Sequence, residues 1–154
     1  MSSGKLSNKK LEEMINNTLI NTCEGIIAGP KAGFDCGIIS SFGKTIAITS
    51  DPVTASTAEV GKIAVNVSLN DIACCGVKPL AISVVLMLPE SSDETEVNEI
   101  MKQVSKVCEL HGVAVIGGHT EFSSAVTRPV VVTTAISVAE NNEMLNGKST
   151  VQQI

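Results

Sequence analysis

Apolar positions recur with a helical spacing in three stretches of the chain, and shorter alternating or continuous apolar runs lie between them. Leu11, Met14, Ile15 and Leu19 share one face of a first helix that Ser7 is placed to cap, with Lys9, Lys10, Glu12, Glu13 and Asn16 opposite, which predicts an amphipathic cover. Residues 25–33 read as a loop, and residues 36–42 and 45–50 as the strands of a hairpin turning at Gly43 and Lys44. The stretch 61–79 predicts a central helix that opens near Ser56 or Thr57 and stops at Gly76, with Pro79 forbidding continuation. Residues 80–88 are apolar on both alternating faces, so this strand is expected to be covered on both sides. Ser92-Asp93-Glu94-Thr95-Glu96 then starts a long helix with an N-cap and an acidic first turn, an apolar face from Val97 to Leu110, and a stop at Gly112; His111 meets the dipole at its end. A short buried strand, 113–116, and a longer apolar one, 130–138, complete the pattern, and residues 140–154 read as a polar tail.

Against this pattern a few polar side chains stand out. On the central helix Asp71 falls on the same side as Val60, Ala64, Val67 and Cys74, within the apolar stripe. It is either a partly solvated residue of the last turn or a carboxylate that meets a cation, hydrogen-bond donors or a cleft. In the hairpin, Asp35 lies eight positions before Gly43 and Asp51 eight after, so the two carboxylates are expected nearly opposite one another. Cross-strand neighbours are about 5 Å apart at Cβ, where like charges repel unless neutralised. Solvated strand ends would relieve this, and so would a divalent cation; hard carboxylate oxygens suit magnesium, and no Cys/His cluster suits zinc. The loop Gly29-Pro30-Lys31-Ala32-Gly33 is either a phosphate clamp or a linker, without the spacing of a Walker loop. His119 and Glu121, after Gly117 and Gly118, share a face if extended, and are either functional or structurally satisfied.

Composition narrows the class. A chain of 154 residues with 44% hydrophobic content, three Phe and no Trp or Tyr predicts one domain with an aliphatic core. A net charge of −5 without a basic, aromatic-lined patch argues against nucleic acid and anionic membrane as partners. No signal-peptide pattern is present and the longest apolar run is half a membrane span, so a cytoplasmic protein is expected. The five cysteines show no C-x-x-C spacing and read as reduced, buried thiols; a soft-metal site of Cys74, Cys75 and His119 is the alternative.

Four motifs stand in order: G-P-x-x-G-x-D-C at 29–36, T-S-D-P at 49–52, G-K-x-A-V-N-x-S-x-N-D-I-A-x-x-G-x-K-P at 61–79 and I-G-G-H-T-E at 116–121. Together they resemble the amino-terminal domain of the aminoimidazole ribonucleotide (AIR) synthase superfamily, most of all the AIR synthase-related proteins. Hydrogenase maturation factors of the HypE type, selenophosphate synthetases and thiamine-monophosphate kinases share that superfamily. The resemblance implies an α/β fold, an α+β sandwich whose mixed sheet is covered by helices on one face and pairs with that of a second subunit in a shared barrel. It implies a homodimer binding ATP and Mg2+, with Asp35, Asp51 and Asp71 on the metal and Lys31, Gly33, Asn66, Asn70, Gly117, Gly118, His119, Thr120 and Glu121 near the nucleotide. The implied activity is ATP-dependent phosphorylation of an amide or carboxamide-type small molecule; the alternative is a non-catalytic dimeric nucleotide-binding or interaction module. No catalytic residue is assigned. The implied domain is 1–139, with the family's carboxy-terminal domain absent or supplied in cis or trans. Phe34 departs from the family pattern, in which an acidic residue commonly precedes the first aspartate.

Overall fold

Phe42 and Gly43, with φ of 49° and 74°, form a two-residue turn whose handedness matches the twist of the strands it joins. The computed structural model describes residues 4–18 and 24–140. In it this turn joins β2 (Gly37–Ser41) to β3 (Lys44–Thr54), with Ser41 opposite Lys44. The turn is thus centred one residue earlier than the Gly43-Lys44 reading, and half a residue before the Gly43 from which the two aspartates were counted. Carried outward, the register sets Ser50, not Asp51, against position 35, although the ladder ends at Gly37 and Ile48. Asp51 is not at a strand end either: β3 continues through Pro52 to Thr54, and Asp51 lies opposite Thr133.

Six strands form one mixed sheet in the order β1-β2-β3-β6-β4-β5, where β1 is Ile26–Ala28, β4 Ala81–Leu88, β5 Ala114–Phe122 and β6 Val130–Glu140. β4 and β5 pair in parallel across the helix α3 (Glu94–His111), and every other neighbouring pair is antiparallel. The helix α2 (Val60–Cys74) and α3 cover one face. Ile82, Val84, Leu86 and Leu88 of β4 pack beneath them with Ala64, Val65, Ile72, Ile100, Val104 and Val131. On the other face Ile39, Ile48 and Val138 of the neighbouring strands are exposed and Ser83, Val85 and Met87 of β4 are only half-buried, so no full second cover of β4 is found among the described residues.

Several expected boundaries move for identifiable reasons. α2 has no side-chain cap of its own; Gln103 of α3 accepts from Gly61 N (3.1 Å) and Lys62 N (3.4 Å) and donates to Thr57 O (2.7 Å), which replaces the Ser56 or Thr57 cap. Within the expected start of α3 the cap is Asp93, which accepts from Thr95 N at 2.9 Å and Glu96 N at 3.1 Å, and the helix ends at Gly112 in the left-handed region. Residues 117–121 extend β5 instead of following it, and β1 was unforeseen in the Gly25 loop. The first helix, α1 (Asn8–Thr18), buries none of its residues, so it is not the cover its pattern predicts; its expected contact Leu19 lies outside the described residues. Glu140 ends β6, and the rest of the expected tail, 141–154, also lies outside them.

Candidate functional site

α2 crosses the sheet diagonally, from β6 beneath Ser68 to β3 beneath Asp71 and the entry to β2 beneath Cys75. Its buried residues Val60, Gly61, Ala64, Val65, Ser68, Leu69 and Ile72 form the inward stripe. Asp71 is displaced to the flank of that stripe rather than inside it: it is half-buried, Cys74 is exposed, and Val67 beside Asp71 opens on a cavity. This cavity, of about 390 Å3, is lined by all three expected aspartates, Asp35, Asp51 and Asp71, together with Thr49, Phe34 and Lys5.

Thr49 joins two of them. Thr49 and Asp51 are two residues apart on the helix-facing side of β3, and the buried Thr49 hydroxyl lies 3.2 Å from Asp71 Oδ2 and 3.4 Å from Asp51 Oδ2. A hydroxyl has one proton, so it serves one carboxylate at a time and holds both within reach of the same point. Burial pushes the Asp71 carboxyl up to about 6; the Asp51 carboxylate beside it pushes the same way, Asp35 adds to it from farther off, and Thr49 opposes. Three carboxylates against one lysine leave the cavity with an excess of negative charge. Among the described residues no three His, Cys, Asp or Glu side chains are arranged to hold a metal ion by themselves. The donor set is therefore a hard-oxygen pair, Asp51 and Asp71, with Asp35 on the same wall. Such a set fits magnesium, which keeps waters or phosphate oxygens for most of its shell, better than calcium or zinc, which take fuller protein cages.

The sulfur chemistry is separate. Cys36 donates to Asp71 O at 3.3 Å and lies against Cys75; both are buried, and burial pushes both thiols up, so they stay protonated. Cys36, Cys74, Cys75 and Cys108 are all free, and Cys23 lies outside the described residues. Cys75 meets Cys36 and not His119, which removes the soft-metal alternative.

The remaining expected residues are spread over the molecule. Lys31 lines a different cavity with Glu12 and Gly29, its Nζ 5.5 Å from the Phe34 ring centre. Gly33 adopts φ 83° with open space around it. Asn66 donates to Lys62 O and opens on the outer groove between α2 and α3, and Asn70 is exposed. Gly117, Gly118, His119, Thr120 and Glu121 lie on the edge strand β5, every residue of which is exposed, with His119 Nε2 3.1 Å from Glu121 Oε2. β5 is three strand spacings from β3, about 14 Å across the sheet. Thr49 and Lys5 were missed as site residues; the period-two spacing from Asp51 is the signal that finds Thr49, and nothing in the sequence marks Lys5.

The chain is similar to known proteins in family and fold. The family model described as AIR synthase related protein, N-terminal domain, matches residues 33–139. A Methanocaldococcus jannaschii protein named for hydrogenase expression/formation is 27% identical over 146 residues, covering 89% of this chain and 44% of its own length. This chain thus spans less than half the length of that curated relative. Among solved structures, AaThiL complexed with AMPPCP and TMP aligns with a TM-score of 0.68 at 20% identity, over 90% of this chain and 45% of that one. Hydrogenase maturation protein HypE in complex with ATP aligns with a TM-score of 0.60 at 19% identity, over 88% of this chain and 42% of that one.

Proposed function

Because the chain belongs to the AIR synthase related protein family through its N-terminal domain, we propose that it is an ATP- and Mg2+-binding domain serving the phosphorylation of an amide or carboxamide group on a small-molecule substrate. The observation that carries this reading is the convergence of Asp35, Asp51 and Asp71 on one cavity from a loop, a strand and a helix far apart in sequence. Like charges gathered without a cage are a site for a cation that brings its own further ligands, and a nucleotide's phosphates are such ligands. Asp51 and Asp71 hold the ion, and Asp35 adds to the potential that attracts it. When bound, Mg2+ neutralises charge on the phosphate oxygens. Thr49 keeps the two carboxylates oriented, and Gly33 leaves room for backbone to approach the phosphates.

A second copy of the chain completes the reading. The uncovered sheet face presents Ile39, Ile48 and Val138, and the edge strand β5 presents Val115, Ile116 and Phe122, all exposed. Contiguous apolar surface of this kind favours burial against a partner, and an unpaired edge favours a further strand. In a homodimer Gly117–Glu121 of one copy would approach the nucleotide of the other, which the ~14 Å separation within one chain argues against doing alone.

Isothermal titration of ATP with and without Mg2+ tests the proposal: wild-type protein should bind ATP more tightly with the ion, and Asp51→Asn should lose that gain. Equal affinity in wild type and variant would refute it. One observation favours a second reading, a non-catalytic dimeric module: the apolar ring of Phe34 lines the cavity beside Asp35, where it offers no ligand to a cation. ATP turnover by the purified chain at any measurable rate would reject that second reading.

A further inference from the structure

Two hydroxyls are buried in the aliphatic interface between α2 and the sheet. Ser68 and Thr133 are both fully buried, yet Ser68 Oγ lies 2.5 Å from Thr133 Oγ1 and 3.1 Å from Thr133 O, so its single proton is shared between these two acceptors. Thr133 Oγ1 donates in turn to Ala64 O at 2.8 Å, one turn earlier on α2. No buried polar side-chain atom among the described residues is left without a partner, so the network is complete. A complete network in an apolar interface adds little net stability, because an apolar pair of the same shape packs about as well. What apolar contacts do not supply is a fixed register, since Ala, Val and Ile surfaces slide over one another while directed hydrogen bonds do not.

We propose that Ser68 and Thr133 are positioning residues that set the gap between Asp51 and Asp71; this rests on the reading of those aspartates as the cation site. Thr133 is the residue directly opposite Asp51 in the β3–β6 ladder, so it is a Cα neighbour at about 5 Å with its side chain on the same, helix-facing side. Ser68 precedes Asp71 by three residues, about 4.5 Å along the helix axis. The clamp therefore ties together the immediate neighbours of the two ligands, one on the strand side and one on the helix side, without touching the cavity itself. If α2 slips along β6, the carboxylates separate while the rest of the core remains packed.

The test uses Ser68→Ala, Thr133→Val and Thr133→Ser, with ATP titrated in the presence and absence of Mg2+ and folding followed by thermal denaturation in EDTA. Ser68→Ala leaves Thr133 bonded to Ala64 O and keeps the idea testable even if Thr133→Val does not fold. We expect Ser68→Ala and Thr133→Val to lower the Mg2+-dependent gain in ATP affinity about tenfold, the scale of outer-shell substitutions around metals. Affinity without Mg2+ should be unchanged, and Thr133→Ser, which keeps the hydroxyl, should restore the gain. A folded Ser68→Ala protein with the full wild-type gain would overturn the clamp alone. A wild-type protein with no Mg2+ dependence would overturn the cation site, and the clamp with it.

Discussion

Replacing Asp71 by Asn should stabilise the metal-free protein at neutral pH. The ordinary carboxyl value of 3.8 rises to about 6 in the fold, first through burial and then through Asp51. A raised carboxyl value means that between about 4 and about 6 the folded chain retains a proton that the unfolded chain has released. The stability this contributes is present in full below the unfolded value and is lost as pH rises through the folded one. At 1.36 kcal/mol per pH unit the shift corresponds to ~3 kcal/mol, but Asp71 is half-buried on an open cavity, and solvent screening reduces this to ~1 kcal/mol. Asn carries no charge and leaves the amide able to accept from Thr49. In EDTA at pH 7 the variant should therefore melt about 3 °C above wild type, and the difference should vanish near pH 4. Adding Mg2+ should raise the wild-type midpoint and leave that of Asp71→Asn where it was. A variant that melts at or below wild type at pH 7, or a wild-type midpoint indifferent to pH across this window, would refute the reasoning.

Three further outcomes follow from the packing. Thr49→Val keeps shape but removes the hydroxyl that steadies both carboxylates, so it should cost ~1 kcal/mol by urea unfolding and lower the Mg2+-dependent ATP affinity. Gly118→Ala would set a Cβ 1.9 Å from Val84 O, which backbone cannot yield to, and should unpair β5 from β4 at a cost of ~2 kcal/mol or more, read by denaturation and by amide exchange in β5. If the proposed homodimer forms through the exposed face, wild-type protein should sediment as a dimer and Val138→Asp should shift it to monomer with the fold intact; a dimer unchanged in the variant would exclude that face as the contact.

Helices and strands were legible wherever apolar period and punctuation agreed, as at α3 with Gly112 and β6 after Pro129. Local signals failed where a tertiary partner overrode them. Ser56 and Thr57 look like caps, yet Gln103, about forty residues away, takes the first amides of α2, and no local pattern announces it. The hairpin register slipped because the positive φ of Phe42 is not something its residue type predicts. α1 shows an amphipathic pattern but buries nothing among the described residues, since amphipathicity states what a helix can cover and not what it meets. At the site the aspartates were legible because carboxylates are conspicuous against an aliphatic chain. Thr49 is marked only by its period-two spacing from Asp51, and Ser68 and Thr133 by nothing, because a hydroxyl in a strand or helix is ordinary until its partner is known.

The measurement that bears most directly on the account is the position of Mn2+, substituted for Mg2+, located by anomalous scattering in crystals grown with a non-hydrolysable ATP analogue. The account predicts a peak between Asp51 and Asp71, at bonding distance of about 2.1 Å from an oxygen of each, with phosphate oxygens completing the shell. Nucleotide bound with the ion on other residues, or an ordered ion with Asp51 and Asp71 both turned away from it, would contradict it.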